Sequence, residues 1–146
     1  MTGESDLATL LRTMSPALDP REFAICALPP EAAASLAREA LGTFRETEGV
    51  TLILERRTAQ ANGLPAGPAW ALITLTVHSS LSAVGFLAAV SRVLAEASIP
   101  VNAVSAVHHD HLFVPWKDRL RAQAVLKRLS DEFTHTKLLD INPRSR

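Results

Sequence analysis

The chain has 146 residues, 15 Lys plus Arg against 15 Asp plus Glu, and a single cysteine. That length suits one ordinary domain or two small units sharing a core, and zero net charge leaves no broad basic face for a phosphate backbone, so nucleic acid is not an expected partner. Cys26 alone cannot close an intramolecular disulfide, the opening "MTGESDLATL" is acidic and polar where a secretory leader is basic and then apolar, and the apolar stretch "WALITLTVHSSLSAVGFLAAV" is broken by "HSS" short of the roughly 18 residues a membrane helix needs; a cytoplasmic protein without membrane contact is expected.

In chain order, Leu7, Leu10, Leu11 and Met14 recur at helical spacing behind Ser5 as N-cap, and Pro16 stops the pattern. "REFAICAL" predicts a strand ending at Pro29 and Pro30. "PEAAASLAREALG" then predicts a helix with Pro30 and Glu31 in its first turn and Gly42 as its C-terminal cap. "TFRETEGVTLILER" predicts a hairpin turning at Glu48 and Gly49. One helical turn and a Gly/Pro linker follow, which places a boundary near Pro65 to Pro68: residues 1–66 form a shorter N-terminal unit and residues 67–146 a C-terminal one.

The second half has the clearer pattern. "WALITLTV" is apolar on both faces, as in a central strand. "SLSAVGFLAAVSRVLAEA" predicts a helix over 82–97, with Ser79, Ser80 or Ser82 accepting the free amides of its first turn. That helix shows one apolar stripe of Val84, Leu87, Ala88 and Leu94 and another of Phe86, Val90, Val93 and Ala97. The second stripe is expected to face the other unit or a second subunit, which leaves a homodimer open. "VNAVSAVH" and "HLFVP" read as strands joined by a turn at His109 and Asp110. "KDRLRAQAVLKRLSDEF" reads as a helix with Ala122, Val125, Leu126, Leu129 and Phe133 on one stripe, and "TKLLDI" as a last short strand. Strand, helix, strand, strand, helix, strand is a ferredoxin-like βαββαβ order, an α+β fold with an antiparallel sheet and helices on one face; the first half carries a shorter copy.

"AVHHDHLFVPW" gathers three of the five histidines and an aspartate. Strand alternation sends His108 and Asp110 one way and His109 and His111 the other, so no set of zinc ligands converges, and no metal is expected. The structural reading makes His109 and Asp110 a hairpin tip, with Asp110 bonding turn amides and His108 and His111 a cross-strand pair; a ligand-facing or interface role for His111 or Asp110 is the alternative. "HSSL" lacks the glycines of a nucleophile elbow and a partnered histidine, so no catalytic residue is assigned. Glu46 and Glu48 flank a turn and read as solvated surface, Cys26 as a buried strand residue, and Trp70 and Trp116 as core or edge anchors.

Three stretches, "FRETEGVTLILE", "HSSLSAVG" and "HHDHLFVP", resemble in their order the small bacterial proteins built from two ACT-like units. The resemblance covers roughly residues 22–130. It implies two ferredoxin-like ACT units in a non-enzymatic regulatory or sensor protein, with a small-molecule ligand, an amino acid, held at an interface between units. It places the ligand against His78, Ser79, Ser80, Leu81, Ser82, Ala83, Val84 and Gly85, then Val101 and Asn102, with Asp110 and His111 as secondary candidates. The residue types agree with this. A helix N-terminus suits a carboxylate, Gly85 permits close approach, and Asn102 both donates and accepts. No cofactor is implied. Two other readings stand beside it: an interaction or dimerisation module without a small ligand, and a histidine-centred metal-dependent enzyme.

Overall fold

The computed structural model describes residues 3–140, with side chains described as far as residue 135. Its elements in chain order are α1 (Leu7–Thr13), β1 (Pro16–Leu28), α2 (Pro30–Leu36), β2 (Gly42–Arg45), β3 (Val50–Glu55), α3 (Arg56–Ala61), β4 (Trp70–Leu75), α4 (Phe86–Glu96), β5 (Asn102–Ser105), β6 (Asp110–Pro115), a 3-10 turn over Trp116–Asp118, and α5 (Arg119–Asp140). They form two compact units, Pro20–Leu72 and Met1–Asp19 with Ile73–Arg146. The sequence boundary at 66/67 assigns α1 to the N-terminal unit, whereas its contacts are with α4 and α5.

In the Pro20–Leu72 unit, β3 lies between β2 and β1. It pairs antiparallel with β1 from Phe23↔Glu55 to Leu28↔Val50 and with β2 from Gly42↔Ile53 to Arg45↔Val50. Period-two alternation puts Leu52 and Leu54 on the face shared by Ala24 and Cys26, where they cluster with Ala33 and Leu36 of α2 and Ala59 of α3. Burying each of these leucines contributes about 1.5–3 kcal/mol. β1 starts at Pro16, five residues before the expected "REFAICAL". The expected helix through Leu41 is also shorter, ending at Leu36. The Leu36 carbonyl accepts from both Glu39 and Ala40, and the Leu41 amide already donates to Ile53 at 2.8 Å, so Gly42 opens a strand rather than capping a helix.

In the other unit the strand order is β4-β6-β5, with β5 and β6 antiparallel. The helix α1 is capped by Asp6, whose carboxylate accepts from the Thr9 amide at 2.8 Å; the expected cap, Ser5, is not the N-cap, and its backbone N–H donates to the Glu4 carboxylate. Leu10, Leu11 and Met14 of this segment are buried with Phe86, Val90 and Leu94 of α4 and Ala122, Leu126 and Leu129 of α5. A buried serine joins two of these segments, as Ser130 Oγ donates to the Arg12 and Met14 carbonyls at 3.0 and 3.2 Å. The two stripes expected on the long helix merge into one buried row at i, i+4 and i+8, because the helix starts at Phe86 and Val84 lies outside it. The strand expected at "TKLLDI" is corrected as well. α5 runs on to Asp140, with neither Gly nor Pro along its length to stop it, and Ile141 lies outside the described residues. Among the described residues no helix is long and apolar enough to cross a membrane.

The hairpin between β2 and β3 closes with a reciprocal pair, Glu46 N–H to Gly49 O at 2.8 Å and Gly49 N–H to Glu46 O at 3.3 Å. Gly49 sits at φ +155°, and a Cβ there would lie 2.8 Å from the Leu28 carbonyl oxygen. Gly49→Ala is therefore expected to lower unfolding stability by about 1–3 kcal/mol. Gly42→Ala, whose Cβ would meet only Ile53 Cδ1 at 3.5 Å, should stay within about 0.5 kcal/mol of wild type. Urea unfolding midpoints of the two variants check this, and equal midpoints would contradict the steric account.

Candidate functional site

The segment from Thr76 to Gly85 is built from tight turns. The Val77 amide donates to Leu75 O and the Ser79 amide to Val77 O, and Ala83 N–H closes a turn onto Ser80 O at 2.9 Å. A strand-like strap from the N-terminal residues lies alongside. Glu4 N–H donates to His78 O at 2.8 Å and Ser80 N–H to Glu4 O at 2.7 Å, a parallel bridge. The serines do not cap α4. Ser79 Oγ donates to Asp110, Ser80 and Ser82 share a hydroxyl contact of 2.8 Å, and the N-cap is Gly85 at φ +93°, without a side-chain bond. The left-handed conformation of Gly85, which side chains rarely adopt, turns the chain into the helix.

The histidine-rich hairpin also differs from expectation. Ala106 N–H bonds His109 O at 3.0 Å, so the tip is at residues 107 and 108. The register is Ser105↔Asp110 and Val104↔His111. Asp110 thus opens β6 and is buried, 6% exposed, rather than standing at the turn. Its Oδ2 accepts from Ser79 Oγ at 2.9 Å and its Oδ1 from the Ser105 hydroxyl. His108 is not paired with His111. Its ring lies 5.4 Å from that of His78, while His109 Nδ1 is 3.2 Å from Val77 O. His111 Nδ1 is 2.9 Å from Thr74 Oγ1 on β4. Burial, with a lesser contribution from His109 and against the opposing pull of Asp110, lowers the His111 pKa below its ordinary value.

These segments enclose a cleft of about 230 Å³, lined by Ser79, Ser80, Leu81 and Ala83 of the turn segment, Phe86 and Leu87 of α4, Ser105 of β5 and Asp110 of β6. Of the residues expected from sequence, Ser79, Ser80, Leu81, Ala83 and Asp110 meet there. The others do not line it. His78 is beside His108, Ser82 bonds Ser80, Val84 is 85% exposed, and Gly85 is the cap. Val101 is half-buried just before β5, Asn102 is exposed opposite Phe113, and His111 bonds Thr74. Ser105, Phe86 and Leu87 are the lining residues that sequence reading did not assign to the site. Ser105 is legible once the turn is placed at 107 and 108, because it then faces Asp110 across the hairpin.

A larger hollow, about 370 Å³, opens in the other unit beside Ala33, Ala37, Thr43, Arg45, Glu46 and Val50. Its charged groups are exposed. The smaller cleft is the stronger candidate, since two buried polar groups, Ser79 and Asp110, meet there at open space. Among the described residues no group of three or more His, Cys, Asp or Glu is placed to hold a metal ion. Cys26 sits in the core of the other unit with its thiol pKa raised by burial.

Antiparallel strands backed by helices define a mixed α+β chain of ferredoxin-like character. Residues 2–69 and residues 69–128 each match the ACT domain. The chain is also 40% identical, at a TM-score of 0.77, to a Vibrio cholerae protein of unknown function described as a possible transport protein, covering 85% of this chain and 95% of that one. It therefore belongs to the ACT-domain family, with two ACT domains in tandem. The regulatory subunit of aspartate kinase from Thermus thermophilus, in its ligand-free form, shares the fold at 12% identity and TM-score 0.62, over 82% of this chain and 97% of its own. The aspartokinase α and β subunits share it at 14% identity and TM-score 0.58, over 80% and 97%. No curated protein sequence matches.

The low pKa of His111 has a signed consequence. The unfolded chain takes up a proton near pH 6.5 and the folded chain resists it, so the contribution is fully present above that pH and is lost as pH falls through the folded pKa. Unfolding midpoints should fall between pH 7.5 and pH 5, and His111→Gln should flatten that slope. An unchanged slope in the variant would assign the pH dependence elsewhere.

Proposed function

We propose that this chain is a non-enzymatic regulatory protein that binds an amino acid in the cleft between the 79–83 turn, the start of α4 and the β5-β6 hairpin. The cleft at Asp110 is the observation that carries this reading. It brings buried polar side chains and apolar walls together in a space suited to a small molecule, and it falls on the segment where the ACT resemblance puts the ligand. The hydroxyls nearest it are committed to Asp110 and to each other, with no histidine partner that would activate a serine. Membership of the ACT family and the likeness in fold to aspartate kinase regulatory subunits favour regulation over catalysis.

Ligand binding regulates only through differential affinity for two states. The cleft walls come from separate segments, the turn, the helix start and the hairpin, so a ligand touching all three favours the arrangement in which they are close. A second reading, association of two copies without a small ligand, is favoured by β5. All four of its residues are exposed, at one end of the strand order, with Val104 and Val107 among the exposed apolar side chains.

A thermal-shift screen of the full chain against the amino acids separates the two. A ligand at a hundred times its dissociation constant stabilises by about 2.7 kcal/mol, a shift of several degrees for a chain of this size. Stabilisation by a subset of amino acids, lost on filling the cleft with Ala83→Phe, is the expected result. No shift with any amino acid, together with a dimer in solution, would favour the association reading.

A further inference from the structure

We infer that the cleft recognises its ligand by a primary ammonium group, with Asp110 supplying the charge, and that it selects small amino acids with uncharged, apolar side chains over acidic ones. This rests on the preceding reading that the cleft is the ligand site, and adds which end of the molecule is read and which side chains are admitted.

The first observation is a buried carboxylate that no Lys or Arg among the described residues pairs with. Asp110 is almost wholly buried, and its polar partners are two neutral hydroxyls, those of Ser79 and Ser105. A buried carboxylate is costly unless it is paired or fully hydrogen-bonded, and a carboxylate offers about four acceptor sites, of which the two hydroxyls occupy only part. Its acceptor capacity is therefore unfilled, at the wall of a cleft.

The second observation is the direction of the hydrogen bonds. Ser79 and Ser105 each donate their single hydroxyl proton to Asp110. What each then has left to offer is lone pairs. The three side chains together present acceptors and no side-chain donor, a surface complementary to a group with donors alone. A primary ammonium carries three N–H donors and no acceptor, and brings the missing positive charge.

The remaining lining fixes the rest of the ligand. Leu81, Ala83, Phe86 and Leu87 are apolar, and none of the residues lining the cleft is Lys, Arg or His. A ligand carboxylate therefore meets no cationic side chain, and a second carboxylate on an acidic side chain would be desolvated against apolar walls near Asp110. At about 230 Å³ the space limits the side chain to a small or medium one.

The test is isothermal titration of the full wild-type chain with alanine, valine and leucine, each also as its amide and its N-acetyl derivative, and with glutamate. Amides, which keep the ammonium and lose the carboxylate, should bind within about tenfold of the best parent amino acid. N-acetylation and the acidic side chain should each weaken binding by at least about thirtyfold, the scale expected when a buried charge loses its partner. Asp110→Asn, confirmed folded by its circular dichroism melt, should lose binding to a similar extent. An N-acetyl derivative bound as tightly as its parent, or an amide that fails where the parent binds, would overturn ammonium recognition and leave the amino-acid site standing. Absence of binding by any of these compounds or by the other amino acids would overturn the site itself.

Discussion

The Asp110 carboxylate, held at the first residue of β6, is bonded to a serine from the turn after β4 and to a serine across its own hairpin. It thereby ties the 76–85 segment, whose Leu81 and Val84 are exposed, to the β5-β6 hairpin. Hydrogen bonds to a charged acceptor contribute about 1.5–3 kcal/mol each, more than a neutral pair, so two of them can fix a segment that otherwise consists of short turns. The N-terminal strap adds backbone bonds to that segment, through Glu4 to His78 and Ser80. The cleft is the space left between these ties and the start of α4.

Much of the architecture was legible in the residues. Alternation in "VTLILE", the paired prolines ahead of α2, the Gly/Pro stretch before β4 and the apolar spacing of α5 all report local geometry that the chain adopts. What was misread depended on hydrogen bonds between distant segments. Serines before an apolar run are good caps in isolation, yet Ser79 is 31 residues from the carboxylate it bonds, and this competing partner is invisible to a local reading. Likewise "HHD" has turn chemistry, but moving the turn to residues 107 and 108 buries Asp110 and exposes Val107 and His108. The strand expected at the C-terminus failed for the opposite reason, since β-type residues there are overridden by an uninterrupted helix.

The lining of the candidate cleft was partly legible, through the turn segment and Asp110. Its other wall was not, because Phe86 and Leu87 belong both to the apolar helix and to the cleft, and Ser105 acquires meaning only from the strand register. The ACT family assignment accounts for the fold and for where a ligand site is to be sought. The proposal of ammonium recognition rests on side chains of this chain, a carboxylate and two hydroxyls whose protons point at it.

The central claim is that Asp110 and Ser79 act on each other rather than as independent polar residues. A double-mutant cycle of Ser79→Ala, Asp110→Asn and the double variant, read by urea unfolding, measures this most directly. The account predicts a coupling of about 1–3 kcal/mol. Changes that add to within about 0.3 kcal/mol would contradict it, and with it the placement of the cleft.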